Sequence, residues 1–138
     1  VGSTKNYCKM AGAGISWPGT FTPANKWAPV YNEWKRILIA HKLSPSVRMS
    51  MYRGVHYGML RAMIPFGKQN PAENEIARRA IVECLKVDLD HGGMPYKPPV
   101  EFGVEIIRRA HPGYLELLKR VKQMLDPNDI MNPGKLGI

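Results

Sequence analysis

Few side chains in this sequence carry chemistry on their own. Cys8 and Cys84 form no Cys-x-x-Cys pair, and His41, His56, His91 and His111 show no metal-ligand spacing, so a zinc or iron site is not expected. A bridge between the two cysteines is open; two free thiols is the simpler reading. Gly12-Ala13-Gly14 has the Gly-x-Gly form of a nucleotide-phosphate loop. Such a loop must run into a helix, and Trp17-Pro18-Gly19-Thr20 cannot start one. Histidine is the side-chain type best suited to accept or relay a proton at neutral pH, and His56 is the candidate. A strand histidine is as often purely structural.

Charge sets a second bound. The formal net charge is +9, high enough to ask whether nucleic acid is the partner. Lys and Arg are nevertheless interleaved with acids, as in Arg78-Arg79 after Glu73 and Glu75, or Lys119-Arg120-Lys122 after Glu116. A nucleic-acid reader concentrates its bases in a stripe with aromatics between them. A solvated basic surface facing an acidic partner domain or an anionic substrate fits better. No apolar run approaches the ~20 residues of a membrane-spanning helix, so a soluble protein, cytoplasmic or periplasmic, is expected. Val1-Gly2-Ser3-Thr4-Lys5 has neither an initiator Met nor the apolar stretch of a signal peptide. The chain is therefore expected to begin inside a longer polypeptide.

The elements that must position any site follow from periodicity. Gly12 to Trp17 reads as an approach into a short strand closed by Pro18-Gly19. Trp27, Val30, Tyr31, Trp34, Ile37 and Leu38 recur at spacings of three and four, predicting an amphipathic helix from Ala24 to His41 that Pro45 ends. Val47, Met49 and Met51 alternate with Arg48, Ser50 and Tyr52, and His56 to Ile64 continues as a second strand. Pro71 to Asp90 reads as a long helix whose inner face is Ile76, Ala77, Ala80, Ile81, Cys84 and Leu85, stopped by His91-Gly92-Gly93. An extended piece around Met94 to Lys97 leads to a helix from Pro98 to Ala110. After a break at His111-Pro112-Gly113, Tyr114, Leu117, Leu118, Val121, Met124 and Leu125 build the last helix. That order implies an α+β fold, an antiparallel sheet covered on one side by helices, with a C-terminal helical extension.

The stretch from Leu118 to Lys135 adds a specific resemblance. A helix is followed by Asp126-Pro127-Asn128, two apolar positions (Ile130 and Met131) and Asn132-Pro133-Gly134-Lys135. This resembles the closing signature of FAD-linked oxidases, and the rest of the chain is most similar to their vanillyl-alcohol oxidase and p-cresol methylhydroxylase (4-cresol dehydrogenase-like) branch. The resemblance implies a ferredoxin-like substrate-cap portion over residues 1–98. Residues 99–138 would be C-terminal helices and a tail returning to an FAD-binding domain outside this chain. It also implies site residues. Tyr7, ahead of the Gly/Ala-rich run and Trp17, matches a position where a Tyr can hold FAD covalently. Arg53-Gly54-Val55-His56 resembles a cap-strand Arg-x-x-His facing the active site. Tyr96-Lys97 sits where the family has a substrate-binding Tyr-Arg pair, and Lys135 where some members place a second such Arg. Asn132 and Lys135 are further expected near the cofactor.

These residues imply hydride transfer from a small alcohol, alkylphenol or hydroxy acid to flavin. His56, Arg53 and Tyr96 are expected at the reacting centre, and Tyr96, Lys97 and Lys135 on a substrate oxygen. Two lysines stand at the expected arginine positions. A phenol of pKa ~10 needs roughly 4 kcal/mol of differential stabilisation to ionise at neutral pH, whereas a carboxylate is already ionised. Expected partners are an FAD-binding domain or subunit, a small-molecule substrate and an electron acceptor (oxygen, a cytochrome or an electron-transfer flavoprotein), in an oligomer, with no nucleic acid and no membrane span. The alternative is a non-catalytic binding or assembly subunit of a flavoprotein complex.

Overall fold

The computed structural model describes residues 13–53, 56–98 and 100–135, and the chain divides into two compact units between Tyr96 and Lys97. The first unit is built in the order β1 (Ala13–Ser16), β2 (Gly19–Pro23), a single 3-10 turn (Ala24–Lys26), α1 (Trp27–Ala40), β3 (Val47–Met51), β4 (Tyr57–Ala62), β5 (Ile64–Gly67), α2 (Pro71–Asp90) and β6 (Met94–Pro95). Four strands form an antiparallel sheet in the order β3-β4-β2-β6, and β1 pairs with β5 in a separate two-stranded sheet. Strand, helix, two strands, helix, strand, with the two middle-placed strands adjacent, is the ferredoxin-like split βαβ arrangement. The α+β reading of the sequence holds.

Local signals explain the helices. Asn70 caps α2, its side-chain oxygen accepting from the backbone of Ala72 at 3.1 Å and Glu73 at 3.4 Å, with Pro71 following as first helical residue. Gly92 beyond its end has φ +79°, a conformation that glycine adopts without strain. Val30, Trp34 and Leu38 of α1 are buried, as are Ala77, Ala80, Ile81, Cys84 and Leu85 of α2 and Leu60 and Ala62 of β4. Each large side chain among them contributes ~1.5–3 kcal/mol. The indole of Trp34 also donates to the Cys84 carbonyl at 2.8 Å, so its polar edge is satisfied inside the core. Trp27 lies so close above β4 that a Cβ on Gly58 would sit 2.5 Å from its ring; only glycine fits there.

Three sequence expectations are corrected. The strand β2 follows Pro18-Gly19, where the sequence reading closed the first strand and named no second one before the helix; its alternating Thr20, Phe21 and Thr22 carry the strand signal between two prolines. The stretch from His56 to Ile64 is two strands, not one. It breaks at Met63, whose N–H donates to Ser46 at 2.8 Å, and β5 then joins the other sheet. Ile76, expected on the inner face of α2, is exposed.

The second unit contains α3 (Val100–Ile107) and α4 (Pro112–Leu125). His111-Pro112-Gly113 acts as a start rather than a mere break. His111 accepts from the Gly113 N–H at 3.1 Å and Pro112 occupies the first turn. No residue of α4 is buried, although Leu117, Val121, Met124 and Leu125 form an apolar stripe along it.

One polar group sits inside the first unit. Thr20 and Thr22 point from β2 toward the helices, their hydroxyl oxygens 2.9 Å apart, and Thr22 donates to Asp88 of α2 at 3.4 Å. All three are fully buried, and Asp88 Oδ2 has no partner among the described residues. Burial pushes the Asp88 carboxyl up to about 8, against the opposing pull of the threonine hydroxyls. The folded state thus keeps this proton at pH values where the unfolded chain has released it. Between about pH 4 and about pH 8 stability from this group falls as pH rises. Asp88→Asn is expected to flatten that slope and raise unfolding stability at neutral pH by ~1–3 kcal/mol. Denaturant melts at about pH 5 and about pH 8 check it; an unaltered slope in the variant shows that Asp88 is ionised in the native state.

Candidate functional site

The helices cover one face of the four-stranded sheet, and period-two alternation sends the other residues to the opposite face. Thr20 and Thr22 face the helices, so Gly19, Phe21 and Pro23 face away. The register places Arg61, Met59 and Tyr57 of β4 directly beside them, Arg48 and Ser50 of β3 beyond, and Met94 of β6 next to Phe21. This open face is the candidate site.

Phe21 is its centre. Its ring lies 6.0 Å from Tyr52, 6.0 Å from Tyr57 and 5.6 Å from Tyr96, the last two edge-on at 81° and 85°. Edge-to-face contacts of this kind hold rings rigidly while leaving faces free for a further flat group. All three tyrosines are more than two-fifths exposed. The Arg61 guanidinium carbon is 5.9 Å from the Tyr96 ring centroid, within cation–π range. Rings on an open sheet face beside a cation can take up a flat or electron-rich small molecule.

The expected site residues are distributed as follows. Tyr96 belongs to the cluster, following β6 and donating its backbone N–H to Gly19 at 2.8 Å. Arg53 and His56 lie exposed in the connection between β3 and β4, not inside a strand, and the His56 carbonyl accepts from Ala24 at 2.9 Å. Lys97 is exposed at the opening of the second unit. Lys135 donates its ammonium to the Pro98 carbonyl, and Asn132 takes a left-handed turn conformation at φ +50°, its carbonyl accepting from Lys135 at 3.1 Å. Tyr7 falls outside the described residues, as do Gly54 and Val55. Sequence reasoning missed Phe21, Tyr57 and Arg61, whose shared face follows from the β2–β4 register.

The closing signature has a structural use of its own. Asp126 ends α4 and accepts from Ile130 N–H at 2.9 Å and Met131 N–H at 2.8 Å. Lys122, one turn back, pairs with Asp126, with the Met131 carbonyl, and with Asp129 at 2.8 Å. The Lys122 bond, with help from the two N–H groups, holds the Asp126 carboxyl below the usual carboxylate range, and the same pair raises Lys122. One carboxylate therefore folds the tail back across the helix end. Among the described residues no cluster of His, Cys, Asp or Glu can hold a metal ion, and no helix is long and apolar enough to cross a membrane.

Comparison with known proteins bears on this second unit. Residues 105–136 match the model of the family described as FAD linked oxidases, C-terminal domain. No curated protein and no solved structure is significantly similar to the chain. The match includes the Asp126 clamp and the tail, and supports an FAD-linked oxidase C-terminal domain there.

If Asp126 fastens the tail, Asp126→Ala should speed amide exchange at Ile130 and Met131 by at least about tenfold, with helix amides of α4 little changed. Because its folded carboxyl is depressed, the clamp should hold above the ordinary carboxylate pKa of ~4 and loosen only as stronger acid protonates it. Hydrogen exchange followed by mass spectrometry reads both effects; equal protection in the variant would show that the tail is held some other way.

Proposed function

We propose that this chain is the C-terminal portion of an FAD-dependent oxidoreductase and that the open sheet face of its first unit covers a small-molecule substrate. The observation that carries the reading is the aromatic cluster of Phe21, Tyr52, Tyr57 and Tyr96 beside Arg61, on the sheet face opposite the two helices of that unit. The family match in the second unit supplies the cofactor class. FAD provides the acceptor for the hydride leaving the substrate; the protein provides orientation and charge.

The residues suit a covering role better than a nucleotide-holding one. Asn70 and His111 occupy the amides at the starts of α2 and α4, so neither helix start is free to cradle a pyrophosphate. FAD is accordingly assigned mainly to an upstream or companion FAD-binding domain, with Tyr7 as the proposed point of covalent attachment. Within the site, Tyr96 and the rings around it position the substrate. His56, three residues after Arg53, manages the proton. The finer placement in the vanillyl-alcohol oxidase and p-cresol methylhydroxylase branch, with alcohols, alkylphenols or hydroxy acids as substrates, belongs to this proposal. So does a downstream electron acceptor.

A second reading, a non-catalytic assembly subunit, is favoured by the uncovered apolar stripe of α4. The two separate experimentally in the intact flavin-containing protein. Phe21→Ala should lower kcat/KM, read as flavin bleaching by a panel of small alcohols, alkylphenols and hydroxy acids, by at least about tenfold while flavin content stays constant. Unchanged turnover in that variant, or turnover that survives removal of this whole chain, would sink the covering role and favour the assembly subunit.

A further inference from the structure

The rings of the open face do not account for its charge. Between Ala13 and Tyr96 the described acidic residues are Glu33 on α1 and Glu73, Glu75, Glu83, Asp88 and Asp90 on α2. All stand on the helices that cover the opposite face. The sheet and its β3–β4 connection carry Arg48, Arg53 and Arg61. Arg48 and Arg61 are direct cross-strand partners, an arrangement of like charges that opposes pairing unless an anion lies over it.

Arg61 adds an independent observation. Its side chain crosses β2 at Gly19, where a Cβ would lie 3.8 Å from its Cγ and 3.9 Å from its Nε. The head then lies 5.9 Å from the Tyr96 ring centroid, and Nε is buried without a hydrogen-bond acceptor among the described residues. Buried donors in native proteins nearly always have acceptors. A guanidinium also differs from an ammonium in offering a planar fork that matches the two oxygens of a carboxylate.

Building on the substrate-covering reading above, we infer that Arg61 is the specificity-determining residue of this face. The small molecule it selects is an aromatic carboxylate, its carboxylate on the Arg61 fork and its ring among Phe21, Tyr57 and Tyr96. A carboxylate presents two oxygens and a charge that the site need not create. A phenol presents one oxygen and, with a pKa near ~10, would have to be ionised by the site.

The test uses the intact flavin-containing enzyme and two probes of matched shape, benzoate and its neutral amide, benzamide. Calorimetry reports binding, and flavin absorbance is followed in parallel. Benzoate is expected to bind at least about tenfold tighter than benzamide, and Arg61→Met to weaken benzoate by at least about tenfold with little effect on benzamide. Benzamide affinity thus reports that the variant is folded. If Arg61→Met does not fold, Arg61→Lys carries the test, because it keeps the charge and loses the fork; the preference should narrow severalfold. Equal affinity for the two probes, or a preference untouched by either substitution, overturns the inference. A preference that depends on Arg61 while the flavin spectrum ignores both probes would keep the anion site and refute the covering role. A spectrum that responds equally to both probes would do the reverse.

Discussion

The first unit depends on an inversion in its central strand. β2 buries two threonines and turns its phenylalanine outward, the reverse of the usual pattern for a half-buried strand. What holds that orientation is the polar contact of Thr20 and Thr22 with Asp88 beneath the helices. A slip of one residue would send Phe21 into the core and the threonines into the open. The aromatic cluster, the Arg61 crossing at Gly19 and the position of Tyr96 would all be lost with it. A buried carboxyl with one unpartnered oxygen is a poor way to gain stability. Here its effect is to fix which face carries the rings.

The covered face shows why this tolerance is affordable. Trp34, Leu38, Val30, Leu60 and Leu85 supply continuous apolar burial around the polar group, and the Trp34 indole finds its acceptor within α2. Gly58 lets Trp27 settle against β4 and donate to the Thr22 carbonyl at 3.0 Å, tying α1 to β2 as well. The two helices of the unit thus pin the sheet from one side. Its other side is stiff because the side beneath is well packed, and stiffness is what an orienting surface needs.

Much of this architecture was legible from periodicity. The α1 stripe, the start of α2 at Pro71 and the glycine stop after it are local signals, and each matches the structure. What failed had non-local causes. Pro18 and Pro23 look like turn residues until β4 is known to pair with the strand between them, and no window of sequence contains that partner. The split at Met63 depends on a bond to Ser46, seventeen residues earlier. Ile76 satisfies the helical period yet faces solvent, because the period gives a stripe and not its width. For the site the balance was different. The resemblance pointed to Tyr96, which the structure joins to Phe21 and Arg61. Those two partners come from strands whose register could not be read from sequence alone.

The tail shows how a recognisable motif divides between structural and chemical demands. Asp126, Asn132 and Lys135 all spend visible interactions on folding the chain back: the carboxylate on two amides, Asn132 on a left-handed turn, the ammonium on Pro98. A residue type can be required by that geometry alone, so a matching tail speaks first to a shape. That shape leaves Leu117, Val121, Met124, Leu125, Ile130 and Met131 exposed, an apolar area that isolated soluble surfaces seldom maintain. Under the proposed function its cover is the FAD-binding domain, and the clamp at Asp126 acts by presenting the surface already folded. Docking then loses less conformational freedom than a loose tail would lose. Under that proposal the tail and the sheet face make separate contributions, one to assembly and one to substrate, and the charge on Arg61 belongs to the second.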